Sequence, residues 1–208
     1  MIIKKLRLKN FRSYKEGEIT FPRGIILFEG DVGSGKSSIL YAIEFALFGL
    51  GEMKGDSLLR IGEKRGEVEL VFEVNGKEYK IFRSLIRKQK SVSQGKGYIE
   101  CDGIREALAP SELKERVLQI LEFRESPKPR AGSVIFRYAV FTPQEEMKTI
   151  LQLRSEDRLQ TLRRAFRIED YKIAKDNLKL VISELRSRIN YVAGELADLE
   201  ELKDRAKE

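Results

Sequence analysis

Residues 30 to 38 read GDVGSGKSS, and each residue type in that stretch has a chemical use. Gly30, Gly33 and Gly35 let the backbone curl until successive N–H groups point inward, which makes a concave site for an oxyanion. Lys36 can place its ammonium on the outer oxygens of that anion. Ser37 offers a hydroxyl to a divalent cation, and Ser38 offers another to the anion. The spacing from Gly30 to Ser37 fits G-x-x-x-x-G-K-[ST], the loop that cradles polyphosphates. The contact set expected from this stretch is Val32, Gly33, Ser34, Gly35, Lys36, Ser37 and Ser38, with Ser37 on Mg²⁺.

Such a loop works only between a strand and a helix, because the start of the helix adds its partial positive charge to the cradle. The flanks supply both. GIILFEG before the loop is almost wholly apolar and predicts a strand covered on both faces. KSSILYAIEFALFGLG after it predicts a helix, with Ile39, Ile43, Ala46 and Leu47 on one face and Gly49 or Gly51 at its stop. Upstream, IIKKLRLKNF alternates apolar and basic residues as a half-buried strand does, and GEITFP predicts a second strand. Downstream, NG inside GEVELVFEVNGKEYKIFRSL and DG inside GYIECDGI predict hairpins. PSELKERVLQILEF predicts a helix capped by Ser111, with Val117, Ile120 and Leu121 on one side. SVIFRYAVFTP reads as apolar and β-rich, and QEEMKTILQL and SEDRLQTLRRAFRI as two helices, the second capped by Ser155.

Composition excludes several chemistries. There is no histidine among the 208 residues, so neither a Ser-His-Asp triad nor a histidine-ligated metal can form within this chain. Cys101 is the single cysteine, which rules out an intrachain disulfide and suits a reducing compartment. The first residues lack the apolar core of a signal peptide, and no run is long and apolar enough for a membrane span. The net charge of +7 suits a polyanionic partner. Residues 83 to 97 hold Arg83, Arg87, Lys88, Lys90 and Lys96 without an acid. That stretch reads as a mobile hairpin tip, either a solvated basic loop or a contact to a nucleic-acid backbone. The abundance of Lys, Arg and Glu hints at a thermophilic source.

The last stretch follows another rule. Leu178, Ile182, Leu185, Ile189, Val192, Leu196 and Leu199 are spaced 4, 3, 4, 3, 4, 3, the seam of a coiled coil. No matching stripe occurs elsewhere in the 208 residues, so the partner helix is expected from outside them. A second expectation of the same kind concerns catalysis. Hydrolysis of a nucleotide at such a loop needs an apolar strand ending in Asp-Glu, and no such run occurs; LVFE ending at Glu73 comes nearest but continues into a hairpin.

LKNFRSY, GSGKSSILYAIEFALFG, FTPQEEMKTIL and EDRLQTLRRAFRIEDY, followed by the heptad helix, occur in this order. Together they resemble the N-terminal half of an SMC-like double-strand-break repair ATPase of the Rad-fifty (SbcC) family, an ABC-type ATPase head of archaeal or thermophilic kind. The family usually has asparagine where Val32 stands. The resemblance implies an α/β fold: the N-terminal lobe of an ABC-type P-loop ATPase, with a mixed sheet around the phosphate-loop helix, over residues 1–167. Residues 168–208 would begin an antiparallel coiled coil. It implies ATP and Mg²⁺ as cofactors, with a zinc hook only outside this chain. It assigns Arg12 to the nucleotide phosphates and the backbone of Leu59, Arg60 and Ile61 to the adenosine. Gln144 would contact Mg²⁺ and the attacking water, which makes Lys36 and Gln144 the catalytic residues.

Read without the family, Arg12 is a solvated strand-end charge and Gln144 a polar residue at a helix start. The partners implied are the protein's own C-terminal half, which carries the Walker B and signature motifs needed for hydrolysis, a second head on ATP binding, a Mre-eleven (SbcD) type nuclease docked near residues 160 to 190, and double-stranded DNA with its ends. No membrane is implied, and the setting is the cytoplasm and nucleoid, or the nucleus in a eukaryote. Two other readings stay open: an SMC-type chromosome-organising head without a nuclease, and a nucleotide-binding interaction module without turnover.

Overall fold

The computed structural model describes residues 1–89, 91–123, 125, 132, 133, 135–137, 141, 154–156, 159, 163 and 169–206. It forms two compact units, Met1–Leu151 and Gln152–Glu208.

In the first unit, β1 (Ile2–Phe11) and β2 (Tyr14–Thr20) form a hairpin, and β3 (Arg65–Val74) and β4 (Lys77–Arg87) form another. β5 (Val92–Gln94), β6 (Gly97–Cys101) and β7 (Ile104–Leu108) follow. The sheet order is β2-β1-β3-β4-β6-β7, with β5 also paired to β4, and every ladder among the described residues is antiparallel. The turns are the ones the sequence asks for. Asn75 (φ 51°) and Gly76 (φ 76°) are both left-handed, as are Asp102 (φ 51°) and Gly103 (φ 78°). Two positive φ angles in succession give the type I′ twist that matches paired strands.

Alternation decides the faces. Leu6 and Leu8 of β1, Val68, Leu70 and Phe72 of β3, and Ile81 and Leu85 of β4 point into the core and are buried. The opposite face carries charges that cancel locally: Lys5 and Arg7 both reach Glu18, and Arg105 reaches Glu100. On the same face Tyr98 stacks on Phe82 and donates to Glu69 at 3.0 Å; burial, then Glu69, push its phenol up to about 12.

Helix α1 (Lys36–Phe48) lies against the inner face of the sheet. Every residue from Ala42 to Phe48 is buried, so the helix is covered all round rather than along one stripe. α3 (Pro110–Ile120) flanks it through Leu113, Val117 and Leu118, and a single turn, α2 (Gly55–Leu58), completes the layer. Gly49 ends α1, its φ of 79° closing the last turn through its N–H to Phe45 O at 2.9 Å.

Three expectations fail. GIILFEG is no sheet strand: residues 25 to 30 pair with nothing among the described residues, and Leu27 is 85% exposed. Apolar character gives a segment a preference for burial without giving it a strand to pair with. Ser111 caps nothing. α3 starts two residues earlier than such a cap implies, with Ala109 at the cap position and Pro110 first in the helix, and Glu112 Oε2 accepts from the Ala109 N–H at 2.8 Å. Within SVIFRYAVFTP, Ile135–Arg137 form a helical turn, not a strand, and Arg137 reaches Glu44 of α1 at 2.7 Å. The helices expected over 144–153 and 155–168 lie largely outside the described residues.

The second unit contains α4 (Glu169–Arg205), 37 residues or about 55 Å of continuous helix. Leu178, Ile182, Leu185, Ile189, Val192 and Leu196 of the predicted seam are all exposed along it.

Phe72 is fully buried and stacks on Tyr79 at 5.6 Å, beside the start of β1. Phe72→Ala should lower the unfolding free energy by about 3–5 kcal/mol in urea denaturation. A loss below about 1 kcal/mol would mean that this end of the sheet is not packed as described.

Candidate functional site

β1 ends in a turn that does not simply lead to β2. Asn10 (φ 50°) and Arg12 (φ 48°) are both left-handed, a conformation that non-glycine residues adopt only under constraint. The constraint is visible. The Arg12 N–H donates to Leu58 O at 2.7 Å, and Arg60 N–H donates to Asn10 O at 3.0 Å. Phe11 and Leu59 form a bridge between these two segments. Arg60 also donates from its guanidinium to Ser13 O at 2.7 Å. The NFRSY turn and the LLRIG segment are therefore bound into one piece.

That piece meets the phosphate loop. Gly35 has a φ of +98°, and a Cβ there would lie 2.6 Å from Ser13 Oγ and 3.0 Å from the Tyr14 ring. The Tyr14 hydroxyl reaches Gly35 O at 3.5 Å. Arg12 lays its guanidinium over the Tyr41 ring, 4.6 Å from the centroid, beside the first turns of α1. The structure thus brings Arg12, Gly35, Lys36, Leu59 and Arg60 to one end of the sheet.

Inside the loop, Lys36 Nζ donates to Gly30 O at 2.6 Å and Asp31 O at 2.8 Å, with Ser34 Oγ at 3.3 Å. The ammonium closes the loop upon itself and stands at its mouth. Gly33 has a φ of +86° and open space where a side chain would go. Val32 and Ser34 are exposed at the rim, Ser37 is exposed at the start of α1, and Ser38 is buried with its N–H on Gly35 O at 2.9 Å. The missing asparagine at Val32 therefore alters a solvent-facing position, while the backbone curl around Lys36 forms with valine in place. This donor set fits a polyphosphate with its cation: a curled loop at a helix start, one ammonium, an exposed hydroxyl and an arginine at the flank.

The remaining expected residues separate. Leu59 turns its side chain into the core, so only its backbone is available to a ligand, whereas Ile61 is 95% exposed. Gln144 lies outside the described residues. Glu73 is paired with Lys4 at 2.9 Å at the opposite end of the strands, and that hydrogen bond holds its carboxyl below the usual range; it has no part in this site. No local pattern marks Ser13, Tyr14 or Tyr41 as site residues, although Ser13 and Tyr14 stand within the NFRSY motif.

The basic stretch 83 to 97 is reorganised as well. It is no loose tip: β4 continues to Arg87, and β5 pairs back at Val92–Gln94. Arg83 is buried. Arg87 is bound to Asp56 at 2.9 Å and to Glu63 O at 3.1 Å. Lys88 and Lys96 are exposed, and Lys90 lies outside the described residues.

Gly35→Ala should therefore destabilise the chain more than Gly33→Ala, because only the first adds a contact to the left-handed strain. Adding Ser13→Ala to Gly35→Ala should recover part of the loss. Equal melting temperatures for the two glycine variants would contradict the close approach.

Comparison with known proteins supports the same reading. Residues 5–208 match the family described as AAA domain. The DNA double-strand break repair Rad50 ATPase of Methanocaldococcus jannaschii is 31% identical over 197 residues, 94% of this chain and 18% of that protein. The Rad50 ATPases of Thermoplasma acidophilum and Archaeoglobus fulgidus are 34% and 31% identical over 91% and 100% of this chain, and 20% and 21% of theirs. The chain spans about a fifth of the length of these curated relatives. Among solved structures, the SMC head domain from Thermotoga maritima is 30% identical with a TM-score of 0.41, covering 56% of this chain and 42% of that one. The chain belongs to the AAA-domain family, and archaeal DNA double-strand break repair Rad50 ATPases are among its homologues.

Proposed function

We propose that this chain is the ATP-binding N-terminal half of a DNA double-strand-break repair ATPase. The observation that carries the proposal is the Lys36-closed loop braced by the turn after β1, in a chain whose relatives are Rad50 ATPases. Arg12 and Lys36 bind and orient the nucleotide phosphates, and the backbone N–H groups of Val32, Gly33, Gly35, Lys36 and Ser37 hold their oxygens. Ser37, together with Gln144, would hold Mg²⁺, which supplies charge neutralisation at the outer phosphates when bound. The backbone of Leu59 to Ile61, with the exposed Ile61 side chain, borders the nucleoside.

Hydrolysis needs an Asp-Glu pair at the end of an apolar strand, and none of the described strands ends in one. The C-terminal half is the proposed supplier, and a second head closes over the nucleotide. Support comes from Ile25 and Leu27, exposed in the segment leading into the loop, and from the open stripe of α4. A partner helix and partner strands would cover both. The Mre-eleven type nuclease near residues 160 to 190 and DNA ends complete the proposal. Lys88 and Lys96 are the cations of the basic stretch best placed for a DNA backbone, because Arg83 and Arg87 are already engaged.

With the C-terminal half supplied in trans, the chain should hydrolyse ATP, and Lys36→Ala should abolish both hydrolysis and nucleotide binding. Turnover no higher than that of Lys36→Ala would sink the enzyme reading. On the same assembly, Lys88→Ala combined with Lys96→Ala should weaken DNA binding alike for all sequences and flatten its log–log salt dependence by about 2. An unchanged slope would remove these two lysines from the interface.

A further inference from the structure

Arg83 is a cation placed where the sequence pattern calls for a core residue. It stands among the inward residues of β4, between Ile81 and Leu85, and its side chain is 2% exposed. Burying a guanidinium costs several kcal/mol unless its donors are satisfied and its charge is answered. Its acceptors are neutral oxygens: Ala46 O at 2.8 Å, Leu47 O at 3.1 Å, Pro110 O at 3.3 Å and Gln94 Oε1 at 3.4 Å.

Two of these belong to the last turn of α1, where the final four carbonyls have no partner inside the helix. Phe45 O is taken by the Gly49 N–H, and Ala46 O and Leu47 O are taken by Arg83. The partial negative charge at the helix C-terminus is the counter-charge for the guanidinium. Burial pulls Arg83 down to about 9, which leaves it charged at neutral pH.

We propose that Arg83 is a positioning residue for the phosphate loop, fixing the axial position of α1 from its far end. The inference rests on the nucleotide reading above. α1 is a rod of 13 residues, about 20 Å long, with Arg83 at one end and Lys36 at the other. Side-chain packing holds it against the sheet, and the motion left to restrain most firmly is a slide along its own axis. Two directional bonds from a strand in the sheet resist it well. Sliding bears directly on the site, since Gly35 approaches Ser13 and Tyr14 closely enough to leave no room for a Cβ. Through Gln94 and Pro110 the same guanidinium ties β5 and the start of α3 to the helix end. A methionine would fill the volume but leave the two carbonyls without a donor, and a lysine would offer a compact ammonium without the planar fork.

The test uses the chain completed by its C-terminal half, with Arg83→Met, Arg83→Lys and, as a control, Phe72→Leu at the opposite end of the strands. Affinity for a fluorescent ATP analogue, kcat and KM are measured at a temperature where circular dichroism shows each variant folded. Arg83→Met should raise the nucleotide Kd and the KM about tenfold with a smaller change in kcat, and Arg83→Lys should lie between it and the wild type. Phe72→Leu should lower the melting temperature and leave Kd unchanged. A lowered melting temperature for Arg83→Met with a wild-type Kd and KM would overturn the proposal and leave Arg83 a stability residue. Should Arg83→Met fail to fold, Arg83→Lys decides in the same way: a raised Kd supports the proposal, an unchanged one overturns it. No binding by the wild type would instead bring down the nucleotide reading on which the proposal stands.

Discussion

A Cβ at position 35 would sit 2.6 Å from Ser13 Oγ and 3.0 Å from the Tyr14 ring, so the turn after β1 and the start of α1 can meet only through glycine. The other parts of the candidate site depend on that meeting. It brings Arg12 over Tyr41 and sets the LLRIG segment beside the loop, through Arg12 N–H to Leu58 O and Arg60 to Ser13 O. It also explains why left-handed backbone is retained at Asn10 and Arg12, where a free turn would relax it. Strain of about 1–3 kcal/mol per residue persists only when the surroundings impose it, and here they do so with three hydrogen bonds and a strand bridge.

The second dependence runs along α1. An amphipathic helix can rock on its wet side, but α1 has no wet side between Ala42 and Phe48. Its N-terminal turn is nonetheless exposed at Ser37: the buried part fixes the direction of the helix, and the open part leaves a hydroxyl facing solvent beside the loop. Lys36 bridges the two regimes. Its ammonium lies on Gly30 O and Asp31 O, so the loop keeps its curl with its cation at the mouth. A preformed cradle of that kind loses little conformational entropy when an anion enters.

How much of this was legible in the sequence follows from which forces are local. The NG and DG turns were readable because a type I′ turn needs two left-handed residues in succession, and few residue pairs accept that. The phosphate loop was readable for the same reason, its glycines being dictated by its own backbone. Arg83 breaks the rule that charge sits at the surface, and composition alone places it there. Its neighbours Ile81 and Leu85 carried the right signal, since period-two alternation puts residue 83 on their face. Ser111 lies inside the helix because Pro110 suits its first position and Glu112 serves the Ala109 N–H from three residues on. Ser13 and Tyr14 gain their role only from a contact across more than twenty residues, which no local pattern reports. The charges on the outer face of the sheet cancel pairwise, so the net charge of +7 said little about where a polyanion would sit.

The misreading of GIILFEG is the most informative. Its apolar composition is that of an interior strand, and the segment is followed directly by a well-formed phosphate loop, so the composition is no accident of a poorly specified region. Yet Ile25 and Leu27 are exposed and the backbone has no sheet partner among the described residues. An apolar strand edge left open in water invites pairing with another chain, and soluble proteins ordinarily blunt such edges with charge, proline or a bulge. Residues 25 to 28 carry none of these, while Phe21 packs on Phe28 from the side, at 6.3 Å. Cover from further strands, as proposed above, would resolve that conflict. The segment that such strands would pair with leads directly into Gly30, so the same act of pairing would complete the sheet and fix the entrance of the loop whose exit Gly35 already fixes.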